Sequence, residues 1–143
     1  KYLYEECGCD PKARNNYAIR WASHNGHFEI VKYLYEKCKC DPTAQNNSAI
    51  IWAAYKGHLK IVRYLYEECE CDPKVNDNEA IRVAAYYGYL DIVMYLYKKC
   101  GCDPKARNNY AIRWATLNGH LKIVEYLNLK LIFIFFKLTL VNE

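Results

Sequence analysis

Apolar residues in this chain recur with two alternating spacings, and both spacings are helical. In residues 16–46 the first run places apolar side chains at 18, 19, 21 and 22, which predicts a short amphipathic helix. Asn16 precedes it as the expected N-cap, accepting a backbone N–H from the first turn. Gly26 then ends the helix, because a helix stop favours a residue that tolerates positive φ. In the second run, 27–38, residues Phe28, Ile30, Val31, Leu34, Tyr35 and Cys38 share one broad face, with Glu29, Lys32 and Glu36 turned away. Pro42 breaks this second helix, since proline has no N–H to continue it and restricts the residue before it. A polar loop, 43–46, leads to the next cap, so the unit reads helix, glycine turn, helix, loop.

The unit recurs with strict timing. Cys-Asp-Pro begins at Cys9, Cys40, Cys71 and Cys102, a spacing of 31 residues each time. The same register carries Asn16, Asn47, Asn78 and Asn109, and then Gly26, Gly57, Gly88 and Gly119. Residues 8–22 and 101–115 are identical over 15 positions. A period between about 20 and 50 residues signals stacked supersecondary units, each unable to bury its apolar face alone. The expected fold class is therefore all-α, a repeat solenoid of stacked antiparallel helix pairs. Such a pattern directs the functional question to a surface rather than to an active site.

Composition refines this reading. At 143 residues, 52% apolar and 25% charged, the chain is expected to form one ordered, core-bearing domain. The net charge of +4 is modest, and acidic and basic residues alternate within each repeat; no nucleic-acid partner is expected. Residues 1–7 match 63–69 apart from Lys1 for Arg63, so the chain opens inside a repeat, as a piece of a longer array or a gene model missing its start would; no signal peptide is visible.

All eight cysteines fall in one repeating Cys-x-Cys, at 7/9, 38/40, 69/71 and 100/102. Equivalent positions on neighbouring helices lie roughly 8–10 Å apart, beyond the roughly 7 Å that a disulfide spans between Cα atoms. Free thiols in a reducing, intracellular compartment are expected. Zinc would need two repeats to converge on one ion, and no Cys-x2-Cys spacing is present. The expectation is no metal and no cofactor, with cysteine acting as a small buried hydrophobe.

Residues 53–65, Ala-Ala-Tyr-Lys-Gly-His-Leu-Lys-Ile-Val-Arg-Tyr-Leu, resemble the ankyrin repeat, whose core reads Ala-Ala-x-x-Gly-His-x-x-Ile/Val-Val-x-x-Leu. The match recurs at 22–34, 84–96 and 115–127. The ankyrin resemblance implies a repeat solenoid that binds a protein partner on its concave side and is not an enzyme. Ankyrin repeats usually span 33 residues and open with Thr-Pro-Leu-His, where this chain has Tyr17, Ala18, Ile19 and Arg20. The two missing residues fall in the inter-repeat loop, so a shortened finger is expected there. This short variant resembles ankyrin-like arrays of large DNA viruses of amoebae, which implies a cytoplasmic, host-cell location.

Four sets of residues carry candidate chemistry. His24, His27, His58 and His120 accompany no nucleophile or carboxylate constellation, and are expected to stabilise turns rather than catalyse. Trp21, Trp52 and Trp114, with Val83 in register, are expected to pack in the core or between repeats rather than form a binding stripe. The tyrosines of the second helices are expected to lie body inward and hydroxyl outward. Two positions before each glycine vary between otherwise matching repeats: His24, Tyr55, Tyr86 and Leu117, then Asn25, Lys56, Tyr87 and Asn118. In ankyrin proteins these positions resemble the recognition surface, so these eight residues are the candidate partner-binding set, with no catalytic residue among them.

After Leu127 the register is lost. Residues 128–143 form an atypical, largely apolar tail, with an unbroken apolar run from Leu131 to Phe136, where a solenoid end calls for a polar cap. As a helix, 129–141 would span about 20 Å, short of the ~30 Å hydrocarbon core, so no membrane span is expected. A packed extension, an interfacial or partner-binding segment, and out-of-frame translation after a disrupted repeat are the three readings of this tail, and the sudden loss of register favours the third as its origin. The expected organisation is an array over 1–127, with a half repeat at 1–15 and repeats starting near 16, 47, 78 and 109. A non-catalytic interaction scaffold is the preferred function. The alternatives are a metal- or redox-responsive thiol protein using the Cys-x-Cys ladder and a truncated array with no independent role.

Overall fold

In the computed structural model, residues 10–129 are described. Among them the chain forms helices and turns and no strand. Four inner helices of 12 residues, α1 (Ala13–His24), α3 (Ala44–Tyr55), α5 (Val75–Tyr86) and α7 (Ala106–Leu117), alternate with nine-residue outer helices. The outer helices are α2 (Phe28–Glu36), α4 (Leu59–Glu67) and α6 (Leu90–Lys98), and residues 121–129 are helical in the corresponding place of the last repeat. Each inner helix pairs with the outer helix that follows it, and each pair stacks on the next. The Cys7/Cys9 pair, the half repeat before residue 10 and the tail beyond 129 lie outside the described residues.

The core is repetitive because the sequence is. Ile19, Ile50 and Ile81 from the inner helices are fully buried, as are Val31, Val62 and Val93 and Leu65, Leu96 and Leu127 from the outer ones. Each such side chain contributes about 1.5–3 kcal/mol through removal from water. Inner helices meet through alanines, Ala53 and Ala54 on α3 and Ala84 and Ala85 on α5, all without exposure. Small residues let these helices approach closely, and the inner column packs far more extensively than the outer one. The stack is therefore tighter along its inner column than along its outer one.

The inter-repeat finger is shortened to a turn. Residues 14–16, 45–47, 76–78 and 107–109 each form one left-handed turn, with φ between 52° and 62°, before the right-handed helix begins. Asn and Asp tolerate this conformation better than other non-glycine residues, which explains the Asn-Asn and Asp-Asn pairs in every repeat. Asn16 is not the cap the sequence predicts. Its Oδ1 accepts the backbone N–H of Asp41 in the following repeat at 2.8 Å, and Asn47–Asp72 and Asn78–Asp103 repeat this bond at 2.9 Å. Each of these aspartates in turn accepts, through Oδ1, the N–H two residues on, pinning the Asp-Pro turn.

The glycine-histidine pair also acts between repeats. Gly26, Gly57 and Gly88 have φ of 78°, 81° and 84°, and a Cβ on any of them would lie 2.6–2.7 Å from a ring carbon of the next repeat. That ring is His58, Tyr89 and His120 in turn. The Nε2 atoms of His58 and His120 also lie 3.0 and 2.9 Å from the carbonyl oxygens of His24 and Tyr86. Histidine here fastens one repeat to its predecessor rather than stabilising only its own turn.

Outer-helix tyrosines correct another expectation, since their hydroxyls reach neighbouring repeats instead of pointing only to solvent. Tyr35 and Tyr66 donate to the carbonyls of Glu68 and Lys99 at 3.1 and 3.4 Å. Tyr64 and Tyr95 donate to the carboxylates of Glu36 and Glu67 at 3.2 and 2.7 Å.

Candidate functional site

The variable positions sit where the inner helices end. His24, Tyr55, Tyr86 and Leu117 are the last residues of α1, α3, α5 and α7, and Asn25, Lys56, Tyr87 and Asn118 follow as C-caps. The structure joins five of the eight. His24 stacks near Tyr55 with ring centroids 6.1 Å apart, Tyr55 meets Tyr87 edge-on at 4.7 Å, and Tyr87 meets Tyr86 at 4.7 Å. Lys56 places its ammonium 4.9 Å from the Tyr55 ring centroid. A hydrogen bond between Tyr55 and Tyr87 heads the causes that push the Tyr87 hydroxyl up to about 12, ahead of desolvation and neighbouring tyrosines.

The other three stand apart from this cluster. Asn25 and Asn118 use their amides to close their own helices, each donating from Nδ2 to the carbonyl of Trp21 or Trp114 at 2.8 Å. Leu117 is 71% exposed near the end of the described array.

The tryptophans extend the cluster into a run of rings along the inner column. Trp21 is 47% exposed and stacks on His24 at 5.0 Å; Trp52 meets His24 edge-on at 5.8 Å; Trp114 lies 5.2 Å from Tyr86. Tyr17 and Tyr110 continue the run at either end, 5.9 and 5.6 Å from Trp21 and Trp114. Trp52 packs against the core cluster and, like Trp114, meets a ring of the preceding repeat, which agrees with the expected core or inter-repeat packing, while Trp21 and Trp52 also line an open groove.

Two hollows open on this face. The first, about 310 Å³, is walled by Trp21, His24, Trp52 and Tyr55, with Ile51, Val83 and Glu79 completing it. The second, about 490 Å³, shares Glu79 and Val83 with the first and adds Arg82, Arg107, Asp77, Asn76 and Tyr110. Arg82 is only 6% exposed, and its charge is held by the left-handed turn before it: Nε and Nη2 donate to the carbonyls of Asp77 and Asn76 at 3.0 and 2.8 Å. Arg20 does the same with Asn15 and Arg14 at 3.2 and 3.1 Å. Arg20, Arg82 and Glu79 were not singled out by sequence. Their signal was present in the register, where positions 17/48/79/110 read Tyr, Ser, Glu, Tyr and 20/51/82/113 read Arg, Ile, Arg, Arg.

The thiols lie on the opposite account. Cys38, Cys40, Cys69, Cys71, Cys100 and Cys102 are free and buried. Burial, reinforced by Cys38, pushes the Cys40 thiol up to about 11, and Cys40 Sγ donates to the Pro11 carbonyl of the preceding loop at 3.4 Å. Burial is also the leading cause that pushes Cys69, Cys100 and Cys102 up to about 12, and Cys71 higher still. The middle residue of each described Cys-x-Cys, Lys39, Glu70 or Gly101, is left-handed with φ of 55–67°, and lets Cys40, Cys71 and Cys102 donate back to the carbonyls of Leu34, Leu65 and Leu96. Among the described residues no group of three His, Cys, Asp or Glu side chains is placed to hold a metal ion, and no helix is long and apolar enough to cross a membrane.

Stacked helix pairs, a repeated docking contact and an open run of aromatic side chains define the class: a helical-repeat solenoid. The family profile described as ankyrin repeats (3 copies) matches residues 1–77, and the one described as ankyrin repeats (many copies) matches residues 81–127. The chain belongs to the ankyrin-repeat family. It is similar in fold to a chain in the crystal structure of the yeast ribosomal protein Rps3 in complex with its chaperone Yar1, with a TM-score of 0.65 and 24% identity, covering 76% of this chain and 87% of that one. No curated protein matches it.

Proposed function

We propose that this chain is a non-catalytic protein–protein interaction scaffold that holds its partner along the concave, inner-helix face. Membership of the ankyrin-repeat family supports an interaction role. The observation that carries the location is the ring run from Trp21 through Tyr55, Tyr87 and Tyr86 to Trp114, which crosses four successive repeats without a break in its centroid contacts of 4.7–6.1 Å. Exposed tyrosine and tryptophan beside lysine and arginine is the composition that concentrates binding energy at interfaces. The thiol alternative gains nothing from these thiols, since the thiolate is the reactive and metal-binding form and burial favours the neutral one. Free buried thiols also suit a reducing intracellular location.

The test is recovery of bound protein by the wild-type chain and by a variant with Tyr55, Lys56, Tyr86 and Tyr87 changed to alanine. A control variant carries Glu29→Ala and Lys60→Ala, an exposed outer-helix ion pair at 3.8 Å. Loss with the first variant alone, at unchanged helicity, supports the reading. Equal recovery by both variants removes it.

A further inference from the structure

The geometry points to a specific occupant for the first hollow: the side chain of an arginine or lysine presented by a protein partner. This rests on the reading that the inner face is the binding face, and adds which chemistry that face selects. The hollow combines aromatic walls, Trp21, Trp52 and Tyr55, with one carboxylate, Glu79, and its lining contains no lysine or arginine although the chain carries a net charge of +4. Glu79 Oε2 accepts from Asn76 Nδ2 at 2.8 Å, and Oε1 has no protein partner among the described residues. The basic groups of the adjoining hollow are already engaged. Arg82 is tied to two carbonyls and lies over the Tyr110 ring at 5.1 Å, and Arg107 lies 3.9 Å from Asp77.

An apolar side chain entering this hollow would cover the Glu79 carboxylate without compensating it, which is unfavourable. A basic side chain resolves both demands. Its methylene stem lies along Ile51 and Val83, and its charged head meets the ring faces and the free carboxylate oxygen. The chain already shows the chemistry in cis: the Arg20 guanidinium lies 5.4 Å from the Trp52 ring centroid and 5.5 Å from that of Tyr17. The volume, about 310 Å³, admits one long side chain and not a folded element.

The experiment uses the full chain with isotope-labelled tryptophan indoles, titrated with blocked pentapeptides that differ only in a central arginine, lysine, norleucine or glutamate. Arginine and lysine peptides are expected to shift the Trp21 and Trp52 indole signals and to leave Trp114, outside the hollow, unmoved. They should bind at least about fivefold more tightly than norleucine, and E79Q should remove that preference while leaving the norleucine peptide unaffected. A norleucine peptide that binds as well as arginine, an E79Q variant that keeps the preference, or no indole shift at millimolar peptide overturns the inference. Its failure is separable from failure of the binding-face reading. Tyr86 and Tyr87 lie outside the hollow's lining, so loss of partner on Y86A/Y87A without any cation preference would retire the occupant and keep the face.

Discussion

Replacing Gly57 by alanine tests how the repeats are held together, because the same substitution at Gly119 acts as its internal control. Both glycines end an inner helix at positive φ, 81° and 74°, where a Cβ costs roughly 1–2 kcal/mol in the backbone alone. At Gly119 a Cβ meets nothing within 4 Å among the described residues, so Gly119→Ala should cost only that amount. At Gly57 the new atom would sit 2.6 Å from Tyr89 Cε1 and 2.8 Å from Cζ, where carbon pairs rest at about 3.5–4.0 Å. The Tyr89 ring must therefore withdraw by about 1 Å and give up its seat on the preceding repeat, an overpacking cost of about 1–3 kcal/mol. Gly57→Ala should total about 2–5 kcal/mol. In a Tyr89→Ala background it should fall back toward the Gly119 value, leaving a coupling energy of about 1–3 kcal/mol. Urea unfolding followed by far-UV circular dichroism reads all four variants, provided their slopes agree. Equal destabilisation by Gly57→Ala and Gly119→Ala, or no coupling to Tyr89, would refute the account of repeat docking.

Further outcomes follow from other contacts in the stack. Asn47→Ala loses the 2.9 Å bond to the Asp72 N–H and a residue suited to φ 58°, and should cost about 1–2 kcal/mol in the same assay. Lys39→Gly and Glu70→Gly relieve left-handed φ values of 55° and 56°, where Gly101 already stands in the matching position, and should each stabilise by about 0.5–1 kcal/mol. The six described thiols should react with a disulfide reagent far more slowly in the folded chain than in urea. Folding raises the thiol pKa from 9.0 to about 11 at Cys40 and to about 12 at Cys69, Cys100 and Cys102. The folded state therefore binds these protons more tightly. The stabilisation is fully present below about pH 9 and is lost as pH rises through 11–12, measurable as a falling urea midpoint that flattens in Cys→Ala variants.

The local part of this fold was legible in the sequence. The 31-residue period, the helix pairs and the glycine stops depend on spacing within one repeat, and the six described cysteines are buried, as their place in the register predicts. What sequence reasoning missed depends on partners one repeat away. Asn16 was assigned to its own helix because its true partner, the Asp41 N–H, lies 25 residues on. His58 was assigned to its own turn because the His24 carbonyl lies 34 residues back. Apolar periodicity assigns the tryptophans to the core or to the seam between repeats, and it does not show that Trp21 and Trp52 also line an open groove. Glu79 and Arg82 escaped notice because only the stack brings them beside the rings of the neighbouring repeats. Of the eight candidate positions, five converge as one cluster, while Asn25 and Asn118 spend their amides on helix ends.

The most direct measurement of the central claim is site-specific photocrosslinking of the bound partner. A benzophenone side chain is placed at Tyr55, at Tyr87, or at the exposed outer-helix position Lys60. The inner-face account predicts one and the same crosslinked protein from positions 55 and 87 and none from 60. Capture from Lys60 with none from Tyr55 and Tyr87 would contradict it.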